Sequence, residues 1–209
     1  MDESRVLLDS DFCNMLTEID SEKIDSRKLV ESVFSVIGKV PYIHEYVVDE
    51  ELFGNQIVQE FVKNRKIKKL EYAEITQNWK NKQQYEETFA EYFYSMNEEY
   101  FLPEKFCGDC FSFRKEKLNL GEIHSIIAAR FLKIPLFYSN DNGARYLARK
   151  YDTRDSVVKL VSGLDLMIEC KDLNVFDRNT RRAIFAKYKT ARWKERYSEM
   201  VKTGGWTDL

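Results

Sequence analysis

Short apolar segments alternate with longer amphipathic segments along most of this chain, and this alternation constrains the fold more than any other feature. Residues 6–8 (VLL) and 134–139 (IPLFYS) are typical of buried strands, whereas residues 121–133 repeat apolar side chains at helical spacing. Strands that alternate with helices form βαβ units, with parallel strands side by side and helices on both faces. The sequence therefore predicts an α/β protein, a three-layer α/β/α fold with a central, mostly parallel sheet.

Other segments extend this pattern. Residues 22–38 have apolar side chains at helical spacing and end at Gly38, a favoured residue just after a helix. Pro41 breaks that helix, and residues 46–52 (YVVDEEL) are typical of the entry into a new one. We expect further helices at residues 56–66 and 144–151, a strand at 67–75, a strand followed by a helix within 157–170, and one long basic amphipathic helix at 178–201.

Residues 77–117 interrupt the alternation, and we interpret them as an insertion into a single domain that spans residues 1–209. A length of 209 residues suits one domain with a substantial core. The insertion is acidic and aromatic, since residues 81–104 contain six Glu and one Lys. We expect a helix in its first half and a loop after Pro103, with aromatic rings that pack on the domain or on a partner protein.

The net charge of −2 argues against a general nucleic-acid coat protein, but the charge is unevenly distributed. Residues 171–196 contain nine Lys or Arg and three acidic residues. Such a basic helix, with Tyr188, Trp193 and Tyr197 interleaved, either contacts phosphates and stacks bases or is a solvated amphipathic helix. The candidate nucleic-acid contacts are Arg145, Arg178, Arg181, Arg182, Lys187, Lys189 and Arg192.

Neither membrane insertion nor secretion is indicated. No window approaches the ~20 apolar residues that a membrane span needs, and the first residues lack a basic flank before an apolar run. We therefore expect a cytoplasmic protein with no membrane partner. Cys13 and Cys170 lie in apolar runs, where cysteine behaves as a core residue. Cys107 and Cys110 form half of a zinc site, but a loop turn is favoured because no second ligand pair follows.

Acidic residues follow the predicted strands or open the neighbouring helices. Asp9 ends the first strand and Asp141 ends the strand at 134–139; the other members of this group are Asp11, Glu50, Glu51 and Glu122. If the strands are neighbours, these acids meet at one edge of the sheet, where α/β proteins bind ligands. Such a cluster raises the pKa of each member, and bound Mg²⁺ or Mn²⁺ removes that cost.

A carboxylate site of this kind suits phosphoryl chemistry. Two metal ions ~3.5–4 Å apart activate a water molecule and stabilise the leaving oxygen. The chain has no Ser/His/Asp order and no GxxxxGK[ST] loop, so metal-dependent hydrolysis is favoured over nucleotide-driven work.

Several segments, in order, resemble the PIN-domain nucleases, in particular bacterial members of toxin type. They are LLDSDF, VVDEEL followed by IVQEFVKNRKIKKL, GEIHSIIAARFLKIPLFYSNDNGARYLARK, and VVKLVSGLDLMIECKDLNVFDRNT. The resemblance covers roughly residues 5–75 and 118–185. The insertion at 77–117 is larger than a compact PIN domain has.

The resemblance implies a Mg²⁺- or Mn²⁺-dependent endoribonuclease that uses one or two ions, often the toxin of a toxin–antitoxin pair. It also implies RNA as the substrate and an antitoxin protein as a partner; the sequence leaves a homodimer open. The implied catalytic metal ligands are Asp9, Glu51, Glu122 and Asp141, with Asp11 as an accessory ligand. Many relatives have an acid where this chain has His124, which lies about 200° around a helix from Glu122.

Other interpretations of the same residues stay open. Acids in a first helical turn stabilise the helix dipole, and Asp11 is equally suited to cap the first helix. The position of His124 and the acidic insertion motivate a second hypothesis, a non-catalytic interaction module with the same fold. A third is a structure-specific DNA nuclease, because an acidic rim also serves that chemistry.

Overall fold

The computed structural model describes residues 5–19, 24–97, 110, 119–151, 158–173, 175–188 and 191–202. Its centre is a five-stranded sheet in which every pairing is parallel, with the strand order β3-β2-β1-β4-β5. The strands are β1 (Arg5–Leu8), β2 (Val40–His44), β3 (Lys68–Leu70), β4 (Leu136–Tyr138) and β5 (Lys159–Val161). Helices cover both faces, so the predicted three-layer α/β/α class is confirmed.

Ten α-helices and one π-helical segment, Val47–Glu51, surround the sheet in the described part of the chain. The α-helices are α1 (Ser10–Thr17), α2 (Ser26–Ile37), α3 (Gln56–Lys63), α4 (Tyr72–Ile75), α5 (Trp79–Met96), α6 (Leu120–Phe131), α7 (Asn142–Lys150), α8 (Gly163–Asp172), α9 (Arg178–Tyr188) and α10 (Ala191–Lys202). Gly38 ends α2 in the left-handed conformation (φ 59°), as its sequence position predicts. None of these helices is long and apolar enough to cross a membrane.

Two hydrophobic cores lie on opposite faces of the sheet. On one face, α1, α2, α3, α8 and α9 pack around side chains such as Phe12 and Val33. On the other face, α5, α6 and α7 pack around Tyr85, Phe89 and Ile127. The first half of the predicted insertion is therefore helical, as expected, and its rings pack on the domain. The loop expected after Pro103 lies outside the described residues.

The strand order places the carboxyl ends of β1 and β4 side by side. Leu8 pairs with Tyr138, and the next backbone N–H, that of Asp9, donates to the Tyr138 carbonyl oxygen at 3.0 Å. The chain runs from β1 to β2 and β3 on one side, and then returns to β4 and β5 on the other. Such a switch between adjacent strands opens a crevice at their carboxyl ends, where ligands of α/β proteins bind.

Strand β2 was not predicted, because Pro41 indicates a break rather than a strand. Pro41 lies beside Val6 of β1, while the pairing with β3 begins one residue later, at Tyr42. A proline is tolerated near the beginning of a strand because a missing N–H matters least there. Strand β3 is also shorter than the predicted 67–75, since residues from Tyr72 form α4 and the Tyr72 N–H donates to Glu45 at 2.7 Å.

The prediction of one long helix at residues 178–201 is wrong. The rings of Phe185 and Tyr197 are 5.3 Å apart between centroids. In a continuous helix, twelve residues would separate them by about 18 Å along the axis. The chain therefore folds back between α9 and α10. Cys13 and Cys170 are buried thiols, as predicted; Cys110 is also buried, and Cys107 lies outside the described residues.

Candidate functional site

Asp9 and Asp141 lie at the ends of the two central strands and share a hydroxyl group. The Ser139 hydroxyl donates to Asp9 at 2.7 Å and accepts the backbone N–H of Asp141 at 3.0 Å. Asp9 is fully buried and also accepts the N–H of Ser10 at 2.9 Å, at the start of α1. Asp141 caps α7 by accepting the N–H groups of Gly143 and Ala144. Ser139 thus holds Asp9 and Asp141 together at the carboxyl ends of β1 and β4.

Asp11 joins the same edge from the first turn of α1. Both of its carboxylate oxygens accept the backbone N–H of Asn140, at 2.9 and 3.2 Å. The Asn140 side-chain oxygen in turn accepts the N–H of Gly163 at 2.7 Å, after β5. Asp11 does not cap α1, because Asp9 takes that role. Asn140 therefore links the ends of β1, β4 and β5.

Glu51 reaches the site from the end of the π-helical segment. Its carboxylate accepts the backbone N–H of Gly121 at 3.1 Å, at the start of α6. A Cβ atom at residue 121 would overlap this carboxylate, so only glycine permits the approach. Part of Glu51 faces solvent, yet its carboxylate is enclosed enough for desolvation to raise its pKa. π-helical segments are frequent at functional sites, and Glu51 is the last residue of this one.

The five acids predicted as metal ligands repel one another, whereas Glu50, the sixth acid of the predicted group, is exposed. Burial raises the pKa of Asp9 well above its ordinary value, and the charges of Glu122, Asp11 and Glu51 raise it further. Burial also raises the pKa of Asp11 to about 7, against the opposing Asn140 hydrogen bond and with repulsion from Asp141.

Glu122 lies in the first turn of α6. Burial raises its pKa to about 8, followed by repulsion from Glu51, Asp141 and Asp11. The hydrogen bonds give the geometry: Asp9, Asp11 and Asp141 surround the Ser139–Asn140 turn, and Glu51 contacts Gly121, the residue before Glu122. The carboxylates that the sequence placed at one edge of the sheet therefore lie near one another.

The donor chemistry of this acid cluster (Asp9, Asp11, Glu51, Glu122 and Asp141) fits a hard divalent cation, which prefers carboxylate oxygens. The side chains do not already form a ligand set: within the described residues, no three His, Cys, Asp or Glu side chains are arranged to hold a metal ion. Backbone N–H groups and serine hydroxyls occupy several of the carboxylate oxygens instead. The cluster therefore supplies the right chemistry, and its side chains would need to reorient to close around an ion.

His124 faces away from the acid cluster. It is fully buried, and its Nδ1 lies 2.8 Å from the Tyr85 hydroxyl, which also lies 3.2 Å from Nε2 of His44. These are the two histidines of the chain, and burial lowers the pKa of His44 to about 3. The helical offset of about 200° separates Glu122 at the sheet edge from His124 in the core. The histidine at residue 124 therefore does not alter the acid cluster.

Of the basic residues predicted to contact nucleic acid, some are exposed, one is buried, and some have side chains outside the described residues. Arg145 lies on α7, one turn beyond Asp141, and Arg178 and Arg182 are exposed on α9. Arg181 departs from the expectation: it is buried and donates to the backbone carbonyl of Phe176, so it anchors α9. Lys187 and Arg192 belong to α9 and α10, but their side chains lie outside the described residues, as does Lys189.

Sequence reasoning missed the residues that hold the acids. Ser139 and Asn140 stand immediately before Asp141, between a buried strand and a helix, and this position was the available signal. The role of Gly121 depends on the approach of Glu51, which is distant in sequence.

Comparisons with family models, curated proteins and solved structures found no match to this chain.

Proposed function

We propose that this protein is a PIN-like, metal-dependent endoribonuclease that hydrolyses RNA phosphodiester bonds with Mg²⁺ or Mn²⁺. The supporting observation is the acid cluster, whose members come from three distant parts of the chain and repel one another at the carboxyl ends of β1 and β4. Asp9, Glu51, Glu122 and Asp141 would be the ligands, with Asp11 as an accessory ligand.

The energetics of the cluster favour a bound cation. Five carboxylates in one partly buried site are stable only if protons or a cation offset their repulsion. Near neutral pH, Glu122 with a pKa of about 8 retains its proton, and Asp11 is half protonated. A divalent ion would replace these protons and lower each pKa. The same arrangement that is unfavourable without an ion therefore gives strong binding with one.

The residues of the chain supply positioning and proton transfer. Ser139 fixes the relative position of Asp9 and Asp141, and Asn140 fixes Asp11. A bound divalent cation supplies the Lewis acidity that activates water and stabilises charge on the leaving oxygen. Both histidines are buried in the contact with Tyr85, so the proton acceptor that we propose for the attacking water is a carboxylate of the acid cluster. That carboxylate must be ionised, and a bound cation would favour its ionised form.

The test is Mn²⁺-stimulated cleavage of RNA by the wild type, Asp9→Asn and Asp141→Asn. Each substitution removes one negative charge of the cluster, and we expect cleavage to fall by at least about a hundredfold while circular dichroism shows an intact fold. Glu50→Gln is the matched control, since Glu50 is exposed beside Glu51 and is not among the charges that shift the cluster. Wild-type cleavage rates in both aspartate variants would refute the proposal.

Two further experiments test the substrate class and the proposed role as a toxin. RNA and DNA of matched sequence, assayed side by side, distinguish a ribonuclease from a DNA nuclease. A toxin arrests growth when it is expressed, and the Asp9→Asn variant should not. If calorimetry detects no Mg²⁺ or Mn²⁺ binding to the wild type, the non-catalytic module is the better description.

A further inference from the structure

The outer face of α7 is a cationic groove that leads away from the acid cluster. Asn142, Arg145, Tyr146, Arg149 and Lys150 line an open groove of about 410 Å³. Their spacing of three, four, seven and eight residues puts all of them on one side of the helix. The opposite side, with Ala144, Leu147 and Ala148, is buried. The first residue that lines the groove, Asn142, directly follows Asp141, the N-cap of α7.

The charges of this groove are not neutralised by the surrounding protein. Arg145, Arg149 and Lys150 form no ion pair with any residue that the structure describes. The Nε atom of Arg145 is buried without a hydrogen-bond partner among those same residues. Three cations without acidic partners on one helix face create a positive potential that attracts a polyanion. This local charge is opposite to the net charge of the chain, −2.

An aromatic ring stands within the row of cations. Tyr146 is 43% exposed, and its hydroxyl accepts a hydrogen bond from Lys150 at 2.7 Å and donates to the carbonyl oxygen of Ser95 at 3.4 Å. These two contacts fix the hydroxyl end of the ring between α7 and the end of α5. A fixed, exposed ring beside cations is the combination that binds single strands, because phosphates meet the cations and an unpaired base stacks on the ring.

We propose that this α7 groove binds the phosphodiester backbone of a single-stranded polynucleotide and guides it toward Asp141. The inference rests on the proposed function, because it names the substrate form that the acid cluster would cleave. Arg145 and Arg149 are about 6 Å apart along the helix axis, so they reach separate phosphates of one strand. A duplex has its bases paired and cannot stack one on Tyr146. An acidic protein segment would match the cations but would leave the exposed ring without a specific role.

Fluorescence anisotropy tests the groove without catalysis, in the presence of EDTA and over a series of salt concentrations. The probes are a labelled single-stranded RNA, a single-stranded DNA and a duplex of the same sequence, with poly-glutamate as the acidic polypeptide. The variant is Arg149→Gln combined with Lys150→Gln. The matched control is Lys28→Gln combined with Lys63→Gln, which removes the same charge from exposed positions on α2 and α3.

We expect single strands to bind more tightly than the duplex or poly-glutamate. The Arg149/Lys150 variant should lower the slope of log affinity against log salt by about 1.4, because each lost phosphate contact on a single strand contributes about 0.7. Tyr146→Ala should weaken binding by roughly fivefold or more through lost stacking. The control should keep the wild-type slope and affinity. Equal affinity for single-stranded RNA and DNA would support the groove, since both have the same backbone charge.

Three outcomes would overturn the inference: equal slopes in the groove variant and the control, tighter binding of the duplex, or tighter binding of poly-glutamate. Asp9→Asn separates this inference from the proposed nuclease activity. Single-strand binding without metal-dependent cleavage would refute the nuclease and retain the groove. Cleavage that depends on Asp9 but is unchanged by the groove substitutions would retain the nuclease and refute the groove.

Discussion

Protons and divalent ions should compete for the acid cluster, and this competition should be visible in the stability of the protein. The folded state raises the pKa of Asp11 to about 7 and that of Glu122 to about 8, whereas both carboxyls titrate near pH 4 in the unfolded chain. Between those values the folded state holds protons that the unfolded state has lost. The stabilisation is complete below about pH 4 and is lost as the pH rises toward 7 and 8.

The size of the effect follows from the number of retained protons. As the pH rises, each retained proton lowers the free energy of unfolding by about 1.4 kcal/mol per pH unit. One such proton therefore accounts for a loss of about 2.7 kcal/mol between pH 5 and pH 7. For a chain of this length, that corresponds to a fall in Tm of roughly 5–10 °C. Mn²⁺ at about a hundred times its Kd adds about 2.7 kcal/mol, which offsets the loss that one such proton causes at pH 7. At pH 5 the gain should be smaller, because protons occupy the same carboxylates.

Thermal melts followed by circular dichroism at the two pH values, with EDTA and with Mn²⁺, measure both effects. The variant that combines Asp11→Asn with Glu122→Gln cannot lose these protons, so its Tm should change less with pH and respond less to Mn²⁺. Glu50→Gln is the control and should behave as the wild type. A Tm in EDTA that rises from pH 5 to pH 7, or a Mn²⁺ shift that is equal at both pH values, would refute the reasoning.

Three further substitutions probe individual contacts. Ser139→Ala leaves Asp9 and the Asp141 N–H without their shared hydroxyl, so urea denaturation should show a loss of about 1–3 kcal/mol together with slower RNA cleavage. Gly121→Ala adds a Cβ where the Glu51 carboxylate lies; calorimetry should show weaker Mn²⁺ binding, while the Tm is unchanged or higher because alanine favours a helix. Tyr85→Phe removes the hydroxyl between the two histidines, and guanidinium denaturation should show a loss of about 1–3 kcal/mol. A stability equal to that of the wild type would mean that this hydroxyl contributes nothing to the fold.

The sequence was sufficient for features that depend on local pattern. β1 and β4 are apolar runs that end directly at Asp9 and at the Ser139-Asn140-Asp141 turn, so both the parallel sheet and the position of its acidic edge were predictable. Pro41 concealed β2, because a local rule about proline ignores which neighbour strand begins at that residue. The return of α10 onto α9 depends on the packing of Phe185 against Tyr197, which helical periodicity does not encode.

For the site residues too, local sequence pattern predicts some positions, and others depend on contacts between distant parts of the chain. Glu51 was proposed from its place at the predicted start of a helix and from the resemblance, but the contact of its carboxylate with the Gly121 N–H has no local signature. Arg181 was predicted to contact nucleic acid together with Arg178 and Arg182, but it is buried against the Phe176 carbonyl, whereas Arg178 and Arg182 are exposed. Side-chain direction on a helix, and not residue type, separated these roles.

Helix α5 and His124 form one structural unit. Tyr85 comes from α5, in the segment that the sequence predicts as an insertion, and its hydroxyl lies between His124 of α6 and His44 of β2. The backbone N–H of Tyr46 donates to Nδ1 of His44, which leaves the neutral ring with Nε2–H to donate to Tyr85. Tyr85 can then donate to Nδ1 of His124. A carboxylate at residue 124 would be a charge buried among these rings, so histidine suits this position because α5 covers that face of α6.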